Sequence, residues 1–395
     1  MERKPSIRFE EYTGEWEQRK LGDLFQEYSE KNHEELPALM IVQGEGTIRR
    51  EGSERKIVYD KTNLSNYKLV NEGDFIVHLR SFEGGLEKAT DTGIISPAYH
   101  TLHGNGVDSG FYYLYFRSPQ FIDIDLRPHV YGIRDGRSID VNGMKTIKIP
   151  YTSGEEQELI ADYFKQLDAL ITLHQSNYDK MVATKKSMLD KLFPQGDAKV
   201  PEIRFEGFVG DWEKKPLGAI VIPYSDPVEV PHDGYERLGI RSHGKGVFHE
   251  YVEAGKEITT AQLHRVAAHN FIVNITFAWE HAVAVTCDSD AGKLVSHRFP
   301  QFSMADGVYD QFLKYLILDA RFRHHLLLSS PGGAGRNRVL KIPEMMEYEM
   351  MIPDIEEQKQ IAGYLNSLDE LIELYQMRIE KLKNIKAACL QGMFV

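Results

Sequence analysis

Cysteine is nearly absent from the sequence: Cys287 and Cys389 are the only two, far apart and in no paired motif. That excludes a disulfide framework and a cysteine-built zinc site, and it suits a reducing cytoplasm, the location expected here. Long hydrophobic runs are missing too. No stretch approaches the roughly 20 apolar residues a membrane-crossing helix needs, and no apolar signal core follows Met1-Glu-Arg-Lys-Pro-Ser6, so no membrane association is expected. Nor does basic charge prevail. A formal net charge of −12 argues against coating nucleic acid by bulk attraction, so any DNA contact has to be local or shared with a partner.

Motifs of chemistry are equally scarce. There is no Asn-Pro-Pro-Tyr-like tetrapeptide of the kind that grips a flipped base for amino methylation, and no GxxxxGK[ST] phosphate loop that would drive a translocation motor. Gly332-Gly-Ala-Gly335 is short enough to read as a turn. Pro353-Asp-Ile-Glu-Glu-Gln-Lys359 superficially resembles a metal-nuclease motif, but its acidic residues share one helical turn, where separate strands would be needed. His324-His325 lack a third ligand at metal spacing, which favours surface or core roles. The expectation is a chain with no catalytic site and no metal site.

What the sequence does contain is itself, twice. Glu155-Glu-Gln-Glu-Leu-Ile160 begins a stretch that returns as Glu356-Glu-Gln-Lys-Gln-Ile361, and a shift of 201 positions pairs Gln157 with Gln358, Tyr163 with Tyr364, Asp168 with Asp369 and Phe193 with Phe394. Both copies carry a seven-residue stripe that predicts long helices packed along a seam. Its members are Ile160, Leu167, His174 and Met181 in the first and Ile361, Leu368, Tyr375 and Leu382 in the second, with Tyr163, Leu170, Tyr364 and Leu371 at intervening positions. If the helices pack antiparallel, His174 lies near Tyr375. Ser153 three residues before Glu156, and Asp354 three before Glu357, predict reciprocal helix caps. A helix of roughly 38 residues is about 57 Å long, enough to act as a spacer.

The segments ahead of the helices repeat as well. Pro5-Ser-Ile-Arg-Phe9 with Trp16 and Leu21-Gly22 returns as Pro201-Glu-Ile-Arg-Phe205 with Trp212 and Leu217-Gly218. Each Trp is expected to be a packing anchor. Asp74-Phe-Ile-Val77 matches Asn270-Phe-Ile-Val273, both reading as strands, and Gly136-Arg137 matches Gly335-Arg336. Between these anchors the halves diverge, so a common frame carries different loops. The fold expected is α+β: two similar mixed α/β modules, at 1–150 and 196–352, separated by two long antiparallel helices, at 151–195 and 353–395, as a coiled coil with a pseudo-two-fold internal repeat.

The paired Pro-x-Ile-Arg-Phe-x(6)-Trp openings and paired Glu-Glu-Gln helix starts resemble the specificity subunit of Type I restriction-modification enzymes, over essentially the whole chain. The resemblance implies two target-recognition domains that each read one half of a split, asymmetric site in double-stranded DNA. It also implies two methyltransferase subunits docked on the chain, and motor-endonuclease subunits beyond them. S-adenosylmethionine, ATP and magnesium would belong to those partners, with no cofactor in this chain. The alternative class is a non-enzymatic protein-interaction scaffold with no DNA binding.

Arg and Lys grip phosphates and guanine edges, and amides pair with adenine. Basic and amide residues in the loops are therefore the candidate DNA contacts: Arg49, Arg50, Arg55, Lys56, Arg80, Arg134 and Arg137 in the first half, and Arg241, His243, Lys245, Arg336, Asn337 and Arg338 in the second. A solvated loop charge is the ordinary alternative for each. Arg137 and Arg336 stand at equivalent places, which suits a contact common to both modules, while base choice belongs to the divergent loops.

Overall fold

Each half of the chain folds around a short, wholly apolar strand, Phe75–Val77 in the first and Phe271–Val273 in the second, whose three side chains are all buried. The structure is a computed structural model that describes residues 4–50, 61–78, 86–132, 138–257, 262–332 and 338–394. It divides into two compact units, residues 1–176 with 376–395, and residues 177–375. The division cuts both long helices in their middles, because each helix half packs on a different core.

In the first unit a four-stranded antiparallel sheet runs in the order Phe25–Tyr28, His100–Gly104, Phe75–Val77, Glu87–Lys88. The second unit repeats that order with Val221–Tyr224, Gln301–Met304, Phe271–Val273 and Val283–Val285. The strand after each opening motif pairs with the strand before each long helix, Glu17–Lys20 with Lys148–Tyr151 and Glu213–Pro216 with Glu349–Ile352. Each unit also carries a hairpin, Leu39–Val42 with Gly46–Arg49 and Tyr235–Ile240 with Val247–Val252. Outside that four-stranded sheet, the hairpins meet a further strand, Gly93–Ile95 or Leu294–Ser296, by equivalent parallel bridges, Ala38 to Ile94 and Arg237 to Leu294. The duplication therefore extends through strands whose sequences share almost nothing.

The long helices are Gly154–Lys191 and Ile355–Met393. In the first unit they run antiparallel: Tyr163 Oη lies 3.7 Å from Cys389 Sγ, and Lys386 Nζ pairs with Asp168 at 2.5 Å. In the second unit Lys185 pairs with Asp369, the same pair generated by the repeat. Ile160, Leu167 and Leu382 join the first core, and Met181, Ile361 and Leu368 the second. His174 is half-buried and belongs to the first unit, Tyr375 to the second. The intervening stripe departs from expectation. Leu170 and Leu371 are 43% and 39% exposed, while Phe164 and Leu365 are buried. The main seven-residue stripe stays buried or half-buried along both helices, but the first turns of each helix face a globular core, so there the apolar face widens to take in Phe164 and Leu365.

The helix starts correct a second expectation. Ser153 Oγ does accept from Glu156 N, at 3.3 Å, but the Glu156 carboxylate does not return to cap the chain. It receives Arg8 Nε and Nη2 at 2.6 and 2.8 Å, Trp16 Nε1 at 3.2 Å and the Thr152 hydroxyl. Glu357 does the same with Arg204, at 2.8 Å to both Nε and Nη2. A guanidinium offers two charge-assisted bonds where a backbone amide offers one neutral bond, so the ion pair wins the carboxylate. The following Gln is also committed. Gln157 accepts from Asp108 N at 2.9 Å and donates to Thr152 O at 2.7 Å; Gln358 accepts from Tyr309 N at 2.9 Å and donates to Pro353 O at 2.9 Å. An amide can do both at once, which neither Glu nor Lys can.

Trp16 and Trp212 are 2% and 3% exposed, as packing anchors should be. Trp16 meets Phe111 and Phe394 edge-on at 5.5 and 6.1 Å, and Trp212 meets Phe312 and Phe193 at 6.0 and 6.3 Å. Each unit thus closes its core with the phenylalanine that follows a long helix.

The Arg8–Glu156 pair yields a prediction. Both partners are out of water, with side-chain exposures of 10% and 0%, so Glu156→Ala leaves a guanidinium buried without its counter-ion and costs about 3 kcal/mol or more. Lys386→Ala, at an exposed pair, costs under about 1 kcal/mol. Urea unfolding of the two variants checks the contrast, and equal losses would contradict it. Burial raises the Glu156 carboxyl, but hydrogen bonds from Arg8 and Thr152 outweigh it and hold the group below its ordinary 4.5. Its contribution is therefore complete above that value and lost as pH falls through the folded one.

Candidate nucleic-acid interface

Of the residues singled out from sequence, Arg55, Lys56, Arg80, Arg134, Arg137, Arg336 and Asn337 lie outside the described residues. The others fall on or beside the two hairpins. In the second unit the strands Tyr235–Ile240 and Val247–Val252 stay in register up to Ile240 opposite Val247, leaving Arg241-Ser-His-Gly-Lys-Gly246 as the tip. Arg241 N donates to Gly246 O at 2.9 Å and closes it. Side chains at the tip alternate: Arg241, His243 and Lys245 are exposed, while Ser242 and Gly244 are half-buried.

The inner face of the tip is fastened to the turn at 276–281. His243 N donates to Glu280 O at 2.8 Å, Gly244 N to His281 O at 2.9 Å, and Ser242 Oγ to Glu280 Oε2 at 2.6 Å. Position 244 requires glycine, because its φ is +64° and a Cβ would come within 2.7 Å of Leu318 Cδ2. His281 is 4% exposed, and its Nε2 lies 2.8 Å from Ile317 O. Burial holds this imidazole below its ordinary pKa, so it serves as a neutral donor that pins the turn.

Two arginines are oriented by aromatic rings. The Arg241 guanidinium lies over Phe248, 5.2 Å from the ring centre, and donates to Val247 O. Arg338 lies over Trp279 at 5.3 Å, and Trp279 Nε1 donates to Thr276 O at 3.1 Å. Arg338 therefore stands against the same turn to which the tip carrying Arg241, His243 and Lys245 is fastened, although it is nearly a hundred residues away in sequence. Sequence reasoning missed Phe277, which is 42% exposed, and Trp279. The signal was present: of the three tryptophans, two are matched anchors and Trp279 has no counterpart in the first half.

The first unit uses the same hairpin with another fastening. Gly44 N at its tip donates to Glu87 Oε1 at 2.8 Å, and Glu87, 4% exposed, is held by Arg117 and by Tyr113 Oη at 3.0 Å. Arg49 pairs with Asp91 at 2.7 Å while 64% of its side chain stays exposed. Arg50 lies over Tyr67 at 5.4 Å and donates to its hydroxyl at 3.3 Å. A common frame thus presents two unlike basic edges.

Among the described residues no group of three or more His, Cys, Asp and Glu could hold a metal ion, and no helix is long and apolar enough to cross a membrane. Three exposed or half-buried second-half histidines have local partners: His269 lies between Asp310 and Asp288 at 2.8 and 3.2 Å, His249 meets Asp290 at 2.6 Å, and His325 Nε2 is 2.8 Å from Glu344 O.

Comparison with known proteins places this arrangement. Residues 13–181 and 259–384 match the family model described as the Type I restriction modification DNA specificity domain. The Type I restriction enzyme MjaVIII specificity subunit of Methanocaldococcus jannaschii is 25% identical over 263 residues, which make up 63% of this chain and 61% of that relative. The chain thus spans about three fifths of that relative's length. The crystal structure of the Type I restriction-modification system S subunit from M. genitalium is 14% identical, with a TM-score of 0.57 over 99% of both chains, a likeness of fold. With the family model covering most of its length, both long helices included in part, the chain belongs to the Type I restriction-modification DNA specificity family.

Proposed function

We propose that the chain is the DNA sequence-specificity subunit of a Type I restriction-modification complex. Each module reads one half of a bipartite, asymmetric target, and the long helices set the spacing between the halves. The observation that carries this reading is the pair of hairpins on a shared frame: both stand at the same place in the repeat, the first exposes Arg49 and the second Arg241, His243 and Lys245, and each is held by its own fastening. Two unlike readers on one scaffold are what an asymmetric split site requires. The family match supports it over an interaction scaffold that never touches DNA.

Within that reading the chain does no chemistry of its own. Two methyltransferase subunits that use S-adenosylmethionine dock on it, and motor-endonuclease subunits using ATP and magnesium join them. Because the chain carries a net charge of −12, the methyltransferases supply much of the phosphate contact by closing around the duplex.

Arg241→Ala and Lys245→Ala are expected to weaken binding at one half-site only, by about 1–3 kcal/mol if a base edge is read, and by a salt slope reduced by about 1 if the contact is a phosphate. Binding of the assembled complex to duplexes with either half scrambled checks this; equal weakening at both halves would contradict it. A second expectation concerns spacing. One helical turn inserted into Gly154–Lys191, about 5 to 6 Å, shifts preference toward halves roughly one or two base pairs further apart, given ~3.4 Å per step. Continued methylation of the original spacing alone would rule out the helices as spacers.

A further inference from the structure

The second unit holds a cavity of about 380 Å³ immediately behind the hairpin tip. Three phenyl rings line it, Phe248, Phe277 and Phe299, together with Asn274, Ser242 and Glu280. Asn274 is only 9% exposed. Its Oδ1 accepts from Thr276 N at 3.0 Å, which fixes the amide and leaves the Nδ2 hydrogens as the group on offer. Among the described residues none accepts from that Nδ2, and the Glu280 carboxylate uses one oxygen for Ser242 and has no donor on the other.

A purely apolar occupant would leave the Asn274 amide and the Glu280 oxygen desolvated without partners. A flat heterocycle meets every requirement together: faces for the aromatic rings, an edge acceptor for Asn274, and an exocyclic amine for Glu280. Exposed Arg241, His243 and Lys245 stand on the tip that walls the cavity, and they suit the phosphates on either side of such a ring. We propose that this cavity receives one unstacked, amine-bearing nucleobase of the target DNA, adenine or cytosine, with Phe277 as the stacking platform and Asn274 and Glu280 on its edge. The proposal rests on the DNA-specificity reading and adds a second extruded base, separate from the one a methyltransferase partner would take.

The test uses the complex assembled with its methyltransferase partner and duplexes carrying the mapped target, with 2-aminopurine or pyrrolocytosine placed at each position of the half read by the second module. One position other than the methylated adenine is expected to brighten about fivefold or more on binding, as an unstacked base does. Phe277→Ala, at an exposed site that does not threaten the fold, and Asn274→Leu should each abolish that rise and leave the rise at the methylated adenine intact. Phe277→Ala should also weaken binding about tenfold, the loss of one base–aromatic stack. Asn274→Asp exchanges a donor for an acceptor and should change which base is preferred at that position. If the complex binds its target and no further position brightens, or if the rise survives both substitutions, the cavity is no base site. If the unsubstituted complex fails to bind the target, the DNA-specificity reading fails, and this inference with it.

Discussion

Everything in this fold depends on one buried carboxylate per half. Glu156 and Glu357 sit at the first turn of the long helices, and each is gripped through two bonds by an arginine from the opening of its own module, 148 and 153 residues earlier in the chain. Neither partner can leave without stranding a charge out of water. Next to each carboxylate, Gln157 and Gln358 bridge the start of a helix inside the module to the residues just ahead of the long helix. Module and helix start are thereby locked as one body, and the direction in which the helix leaves its module is fixed.

This lock explains why the most recognisable motifs of the sequence are not where specificity lies. The arginine and phenylalanine of Ile-Arg-Phe, the tryptophan, and the second Glu and the Gln of Glu-Glu-Gln are spent on holding the frame, and all of these are buried or partly so. The surfaces free to differ are the hairpin tips and the segments they lean on. In one unit the tip is tied to Glu87, itself clamped by Arg117 and Tyr113; in the other it is tied to the turn at 280–281. The frame keeps the hairpin in place whatever its tip carries, so a tip can change its side chains without loss of the core.

The repeat, the order of module and helix, the two central strands and the role of both tryptophans were legible in the sequence because buried identity survives duplication. The capping role assigned to Glu156 and Glu357 was not, because local spacing cannot reveal a partner more than a hundred residues away. Leu170 and Leu371 misled for a related reason: a heptad pattern does not say whether a helix faces another helix or a globular core. Arg338 was chosen as a basic residue in a Gly-rich loop, and only the fold brings it onto Trp279, in the turn that holds the second hairpin tip. Asn274 and Phe277 carried no signal as single letters; their meaning comes from a cavity whose walls are drawn from distant stretches of chain.

The central claim is that two unlike readers share one frame and that each accounts for half of a target. Mapping methylated adenines in DNA from cells that express this chain with its methyltransferase partner tests that claim most directly. The account predicts two short, different sequences separated by a gap of constant length. One uninterrupted motif, two identical halves, or methylation that ignores sequence would contradict it.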